Sequence, residues 1–170
     1  MQSRLGMAEP GGSIMDDLTF EADVHWQGRG REGRGTVATG GQRLAYSAPA
    51  SMGGRGTGSS PEELLVSAVA SCYSGTLFHL LARDGLPGEE VLVHAVGVVS
   101  GYPSRDAHVS RIVVHPTIVA GDSTRQSDYE RCARTAREHC FIGRALRDSI
   151  TYAVGDVSVS TGIPAAPAVA

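Results

Sequence analysis

Strands that come in runs, not in alternation with helices, predict an α+β fold for this 170-residue chain. Three observations carry the expectation. Phe20, Ala22, Val24 and Trp26 alternate with polar residues at period two, the mark of a half-buried strand. A long apolar run begins at Ser60-Pro61 and is too long for a strand. Two extended Val-rich segments, 91–99 and 109–119, then follow each other directly. The predicted order is βββ-α-ββ-α-β, read as a strand-rich N-terminal meander, a two-helix core and further antiparallel strands.

Taken in order, residues 1–16 mix Gly, Pro, Ser and Met without period and are expected to be a disordered leader. The domain is placed at 17–160. Gly-rich turns separate the first strand from Thr36-Val37-Ala38 and from Leu44-Ala45-Tyr46, giving a three-stranded meander. A Gly/Ser-rich loop, 47–60, leads to the first helix. Ser60 is suited to cap it, Pro61 to occupy its first position and Glu63 to complete a capping box. Leu64 to Cys72 is apolar or small on nearly every face, so this helix is expected to be buried on most sides. Gly85 and Pro87 end it. The two long strands come next, joined through Gly101-Tyr102-Pro103. A second helix is expected from Ser127, where Ser127 and Glu130 repeat the capping-box spacing, to about Cys140. A short helical piece, 141–147, and a single closing strand, 150–159, complete the domain. The Pro/Ala-rich tail, 161–170, is expected to be flexible.

Composition narrows the function. Hydrophobic residues make up 41% and charged residues 19%, a balance that opposes disorder of the whole chain. A net charge of −3 gives no basic footprint for nucleic acid. No uninterrupted apolar run approaches the roughly 18 residues of a membrane helix, and the first residues lack the apolar core of a secretory signal. A soluble cytoplasmic protein is expected. All 15 basic residues are arginine, which excludes a Schiff-base lysine and a P-loop lysine. Three cysteines and scattered histidines, with no C-x-x-C, give no zinc pattern. Gly28, Gly30 and Gly33 match the letters of a dinucleotide fingerprint, but a strand follows them where the pyrophosphate needs a helix N-terminus.

The thiols are the remaining reactive groups. Free cysteine is commonly inert packing, and Cys72 lies too far from its helix start for the dipole to lower its pKa. A reactive Cys72 would need a cation brought from elsewhere. Cys140 ends the other helix, and two apolar helix faces can bring the pair together. Cys132 reads as packing.

The string Ser60-Pro61-Glu62-Glu63-Leu64-Leu65-Val66-Ser67-Ala68-Val69-Ala70-Ser71-Cys72-Tyr73 resembles the signature of the OsmC/Ohr family, the osmotically inducible protein C and organic hydroperoxide resistance proteins. There a Pro-Glu-Glu/Gln-Leu helix start leads to Ala-Cys ten residues past the first Glu, the spacing of Glu62 and Cys72. The segments 24–28 and 33–37 resemble the family's first hairpin, and Cys140 falls at its second cysteine. The similarity runs from Phe20 to Ser160. It implies an OsmC-like interlaced homodimer and a thiol peroxidase for organic or lipid hydroperoxides that uses no metal or haem. In the implied cycle Cys72 becomes a sulfenic acid, Cys140 condenses with it to a disulfide, and an external dithiol restores both. That reductant is of the dihydrolipoyl type, a lipoylated protein included. An Arg–Glu pair serves the thiolate: Glu62 matches the Glu, and Arg31, in Gly30-Arg31-Glu32-Gly33-Arg34, the arginine, with Arg55 as the alternative. Tyr73 and Phe141 are expected to line an apolar pocket. Two features depart from the family: Phe141 follows Cys140 where Pro is common, and the loop before Pro61 is longer. The competing readings are a non-catalytic module holding an apolar small molecule at the dimer interface, and three purely structural thiols.

Overall fold

The computed structural model describes residues 17–162. The expected leader, 1–16, and residues 163–170 of the expected tail lie outside the described residues. The rest is α+β with two separate sheets and three helices.

The first sheet is the meander β1 (Asp23–Gln27), β2 (Arg34–Thr39) and β3 (Gln42–Tyr46), antiparallel throughout. It differs from the expectation in burial: every residue of β1 is exposed, Val24 at 61% and Trp26 at 40%. Period two reported a strand with one apolar face, but nothing among the described residues covers that face. Trp26 and Tyr46 stack at 5.3 Å between ring centroids, over the glycines of β2 and its approach.

Helix α1 (Pro61–Arg83) starts on the expected capping box. Glu63 N–H donates to Ser60 Oγ at 3.2 Å and Ser60 N–H to Glu63 Oε2 at 2.6 Å. Val69, Tyr73, Leu77, Leu80 and Leu81 enter the core, whereas Ser67, Ala68, Ser71, Gly75, Phe78 and Ala82 are exposed. The helix is thus buried on one side, not on most sides. An 18-residue window within it has mean hydropathy 1.6, so by length and composition alone it could cross a bilayer, contrary to the expectation that no apolar run is long enough. Its inner face is packed against its own sheet and the second helix.

The second sheet is built on β4 (Glu90–Ser100) and β5 (His108–Val119), an antiparallel pair with one irregularity at Val98/Val99. A Cβ at Gly97 would lie 2.5 Å from Val66 Cγ2, so glycine there lets α1 sit close on the sheet. The expected closing strand is two strands, β6 (Thr151–Val154) and β7 (Ser158–Ser160). Both run parallel to β5 and not antiparallel, because the chain re-enters the sheet after a helical crossover. Gly155 and Asp156 interrupt them, and a Cβ on Gly155 would strike the His115 ring.

Helix α2 (Gln126–His139) does not use the expected Ser127–Glu130 box. A single 3₁₀ turn, Ser123–Arg125, precedes it, capped by Asp122, whose side chain accepts from Thr124 N–H at 3.0 Å. Local capping upstream therefore leaves Ser127 inside the helix. Tyr129, Cys132, Ala133 and Ala136 face the core. Helix α3 (Phe141–Leu146) follows with only Cys140 between, so the core has three helices where two were expected.

Replacing Ser60 with alanine removes the acceptor for Glu63 N–H and should cost about 1 kcal/mol. The expected result is a lower urea midpoint with an unchanged denaturant slope.

Candidate active site

Packing of α1 against α2 brings two of the expected site residues together. Tyr73, fully buried, donates from Oη to the Ala133 carbonyl at 3.3 Å, which fixes the register of the two helices. Cys72 is the neighbour of Tyr73, and Cys140 closes α2 and opens α3. The two thiols neighbour each other, each bearing on the other's ionisation, and are not joined as a disulfide. Cys140 is fully buried, whereas Cys72 is half-buried at the edge of the core.

The two sulfurs are not equivalent. Burial acts to raise the Cys72 pKa, but the nearby Cys140 thiol, the backbone N–H groups of Ile142 and Phe141, and Thr76, whose hydroxyl donates to the Cys72 carbonyl at 2.8 Å, together bring it below the ordinary thiol value. Burial raises the Cys140 pKa, and the neighbouring Cys72 raises it further, against the Gly143 N–H and the Tyr152 side chain, which lower it. That N–H lies 3.4 Å from Cys140 Sγ. The pair is polarised: Cys72 loses its proton first, and Cys140 keeps its own. Within one chain the groups that lower the Cys72 pKa are neutral. Sequence reading missed them because main-chain donors leave no residue-type signature. The one available signal was Cys140 placed directly before a short helical segment, where the first N–H groups have no intrahelical partner.

The other expected residues stand apart from this pair within one chain. Glu62, in the first turn of α1, has Oε2 buried without a hydrogen-bond partner. It lines a cleft of about 290 Å³ with Val66, Ser67, Ala95, Gly97 and Val109. Arg31 donates from Nη1 to the Met52 carbonyl at 2.8 Å and to Tyr102 Oη at 2.7 Å, and its guanidinium lies 5.5 Å from the Tyr102 ring centroid. Among the described residues it forms no ion pair, so the expected Arg31–Glu62 pair is not closed within the chain. Arg55 donates to the Glu32 carbonyl at 2.8 Å, also away from the thiols. Cys132 is buried core, and burial raises its pKa. Tyr73 lies in the core under the site, while Phe141 is 66% exposed beside it. Gly33 is followed at once by β2, in keeping with a turn and not a dinucleotide loop.

An α+β scaffold that pairs a low-pKa thiol with a protonated buried partner defines a paired-thiol protein. The OsmC-like protein family model matches residues 54–154, and the chain belongs to that family. It is 28% identical over 152 residues to the uncharacterized protein YmaD of Bacillus subtilis, with 87% of this chain and 99% of that one covered. Among solved structures it is similar to an OsmC-like protein of unknown function from Vibrio cholerae, with TM-score 0.69, 19% identity, and 83% and 99% of the two chains covered. It is also similar to an organic hydroperoxide resistance protein from Legionella pneumophila, with TM-score 0.63, 21% identity and coverage of 86% and 100%. These structural likenesses establish the fold.

Phe141 occupies the first position of α3, where proline is tolerated but has no N–H to give. Phe141→Pro should therefore raise the Cys72 pKa and slow its alkylation by iodoacetamide at neutral pH, and Cys140→Ala should do the same by removing the thiol donor. Rate–pH profiles with both midpoints unmoved would show that neither donor acts on Cys72.

Proposed function

We propose that this protein is a two-cysteine thiol peroxidase that reduces organic hydroperoxides. The observation that carries the reading is the polarisation of the thiol pair, with the anion favoured on the accessible sulfur and the proton retained on the buried one. Membership of a family whose structural relatives include organic hydroperoxide resistance proteins supports the substrate class.

The chemistry follows from that asymmetry. Cys72 thiolate attacks the distal peroxide oxygen, the O–O bond breaks, and the alkoxide takes a proton and leaves as an alcohol. Cys72 is then a sulfenic acid. The Cys140 sulfur, already beside Cys72, attacks it, its proton leaves with the hydroxyl as water, and a Cys72–Cys140 disulfide forms. An external dithiol, of the dihydrolipoyl type or carried on a protein, returns both sulfurs to thiols by exchange.

The reading extends to a homodimer. Among the described residues Glu62 holds a buried carboxylate oxygen with no donor, Arg31 a guanidinium with no carboxylate, and the apolar faces of β1–β3 and of α1 are open. A second copy that covered those faces would bury apolar area and bring an arginine toward a glutamate. An Arg–Glu pair beside Cys72 would orient the peroxide and hold the thiolate charged. The exposed Phe141 and Ile142 beside the thiols favour alkyl peroxides over hydrogen peroxide.

Intact mass after one equivalent of cumene hydroperoxide tests this directly. The wild type should lose two mass units on forming the disulfide, and Cys140→Ser should yield a trappable sulfenic acid at Cys72. No rapid oxidation in either protein would remove the peroxidase reading and leave the apolar-ligand module.

A further inference from the structure

Tyr152 presents a buried group that the cycle above does not use. The residue is 4% exposed on β6, and its hydroxyl has no hydrogen-bond partner among the described residues. A polar atom left unsatisfied in a core costs stability, and replacing tyrosine with phenylalanine would relieve that cost. The hydroxyl lies next to the Cys140 sulfur without meeting hydrogen-bond geometry in the thiol state. Its position is fixed from several sides. Arg137 Nε donates to the Tyr152 carbonyl at 2.6 Å, and the guanidinium lies 5.9 Å from the ring centroid. Gly143 packs so close that a Cβ there would be 2.1 Å from Tyr152 Cε1. The same Gly143 gives its N–H to Cys140. Cys140 thus has one donor on it and a second held beside it. Burial and the neighbouring Cys140 push the Tyr152 pKa far up, so the hydroxyl keeps its proton.

We propose that Tyr152 Oη–H, together with Gly143 N–H, stabilises the Cys140 thiolate as the leaving group when a dithiol reduces the Cys72–Cys140 disulfide. The proposal deepens the peroxidase reading and rests on it for the disulfide. The exposures decide which sulfur is attacked, because Cys72 is partly accessible and Cys140 is fully buried. A thiolate of the reductant attacks Cys72 Sγ and forms a mixed disulfide. The Cys72–Cys140 bond breaks and its electron pair goes to Cys140 Sγ, where charge appears and draws in the waiting hydroxyl. The second thiol of the reductant then attacks its own mixed-disulfide sulfur, closes a cyclic disulfide and releases Cys72, which returns to the thiolate. The dithiol loses two electrons and the protein gains two. Exchange speeds up as the leaving thiolate is better stabilised, and a donor aimed at developing charge acts on the transition state more than on the ground state.

The test forms the disulfide with diamide, so that it does not depend on reaction with peroxide, and follows re-reduction by dithiothreitol in wild type and Tyr152→Phe. The variant should be re-reduced about 10- to 100-fold more slowly, the range of a lost hydrogen bond to a charged group, while its melting temperature stays equal or rises. A purely structural tyrosine would give the reverse, with a lower melting temperature and an unchanged rate; that result overturns the proposal. A second measurement needs no variant: mass mapping of the mixed disulfide formed with 2-mercaptoethanol should place it on Cys72, and its appearance on Cys140 would also overturn the proposal. Oxidation of Cys72 by cumene hydroperoxide should be unchanged in Tyr152→Phe. Failure of the peroxidase reading would show as no oxidation by peroxide in the wild type, a result separate from either arm.

Discussion

The juxtaposition of the Cys72 and Cys140 thiols is the contact on which the chemistry of this molecule turns, because their surroundings make two identical groups unequal. In water both would be mostly protonated at neutral pH. Here burial opposes charge on both sulfurs, and the neighbouring donors decide which one carries it. Cys72 has the Cys140 thiol and the amides of Ile142 and Phe141 beside it, against burial that is heavier at Cys140, so proton and charge separate along the pair. Asymmetry of this kind suits a thiol that must attack and a second thiol that must wait.

The fold serves that contact through a small number of constraints. The Tyr73–Ala133 hydrogen bond locks α1 against α2, and the fully buried Leu77 and Tyr129 fill the layer around it. Gly97 admits α1 close to β4, and Gly143 admits the Tyr152 ring close to the turn after Cys140. A methyl group at either glycine would separate elements whose spacing brings the sulfurs together. The one-residue break between α2 and α3 matters equally, since the extended backbone of Cys140 ends one helix and sets the first amides of the next near Cys72.

Much of this was legible in the sequence where a local rule operates. The Ser60–Glu63 box, Pro61 and the Gly85/Pro87 stop bound α1 correctly, because capping is a short-range matter of specific side chains. Gly-rich turns between period-two segments gave the meander for the same reason. The Cys72 and Cys140 pairing came with the family resemblance and not from spacing, since no local rule brings residues so distant together. Failures fall where tertiary context decides. An apolar helix surface does not say whether its own chain covers it, so α1 and β1 were expected to be more buried than they are. One closing strand became two parallel ones, because the crossover through α2 and α3 sets direction and Gly155 breaks the run. Ser127 had the spacing of a cap, but Asp122 acted first. The search for a cation near Cys72 missed main-chain donors, which every residue but proline carries.

The ultraviolet absorbance of the thiolate, followed against pH in wild type and in Cys72→Ser, tests the polarised pair most directly. The account predicts one thiolate forming below the ordinary thiol range in the wild type, and its loss in the variant. A Cys72 that titrates at or above the ordinary value, or after Cys140, would contradict it.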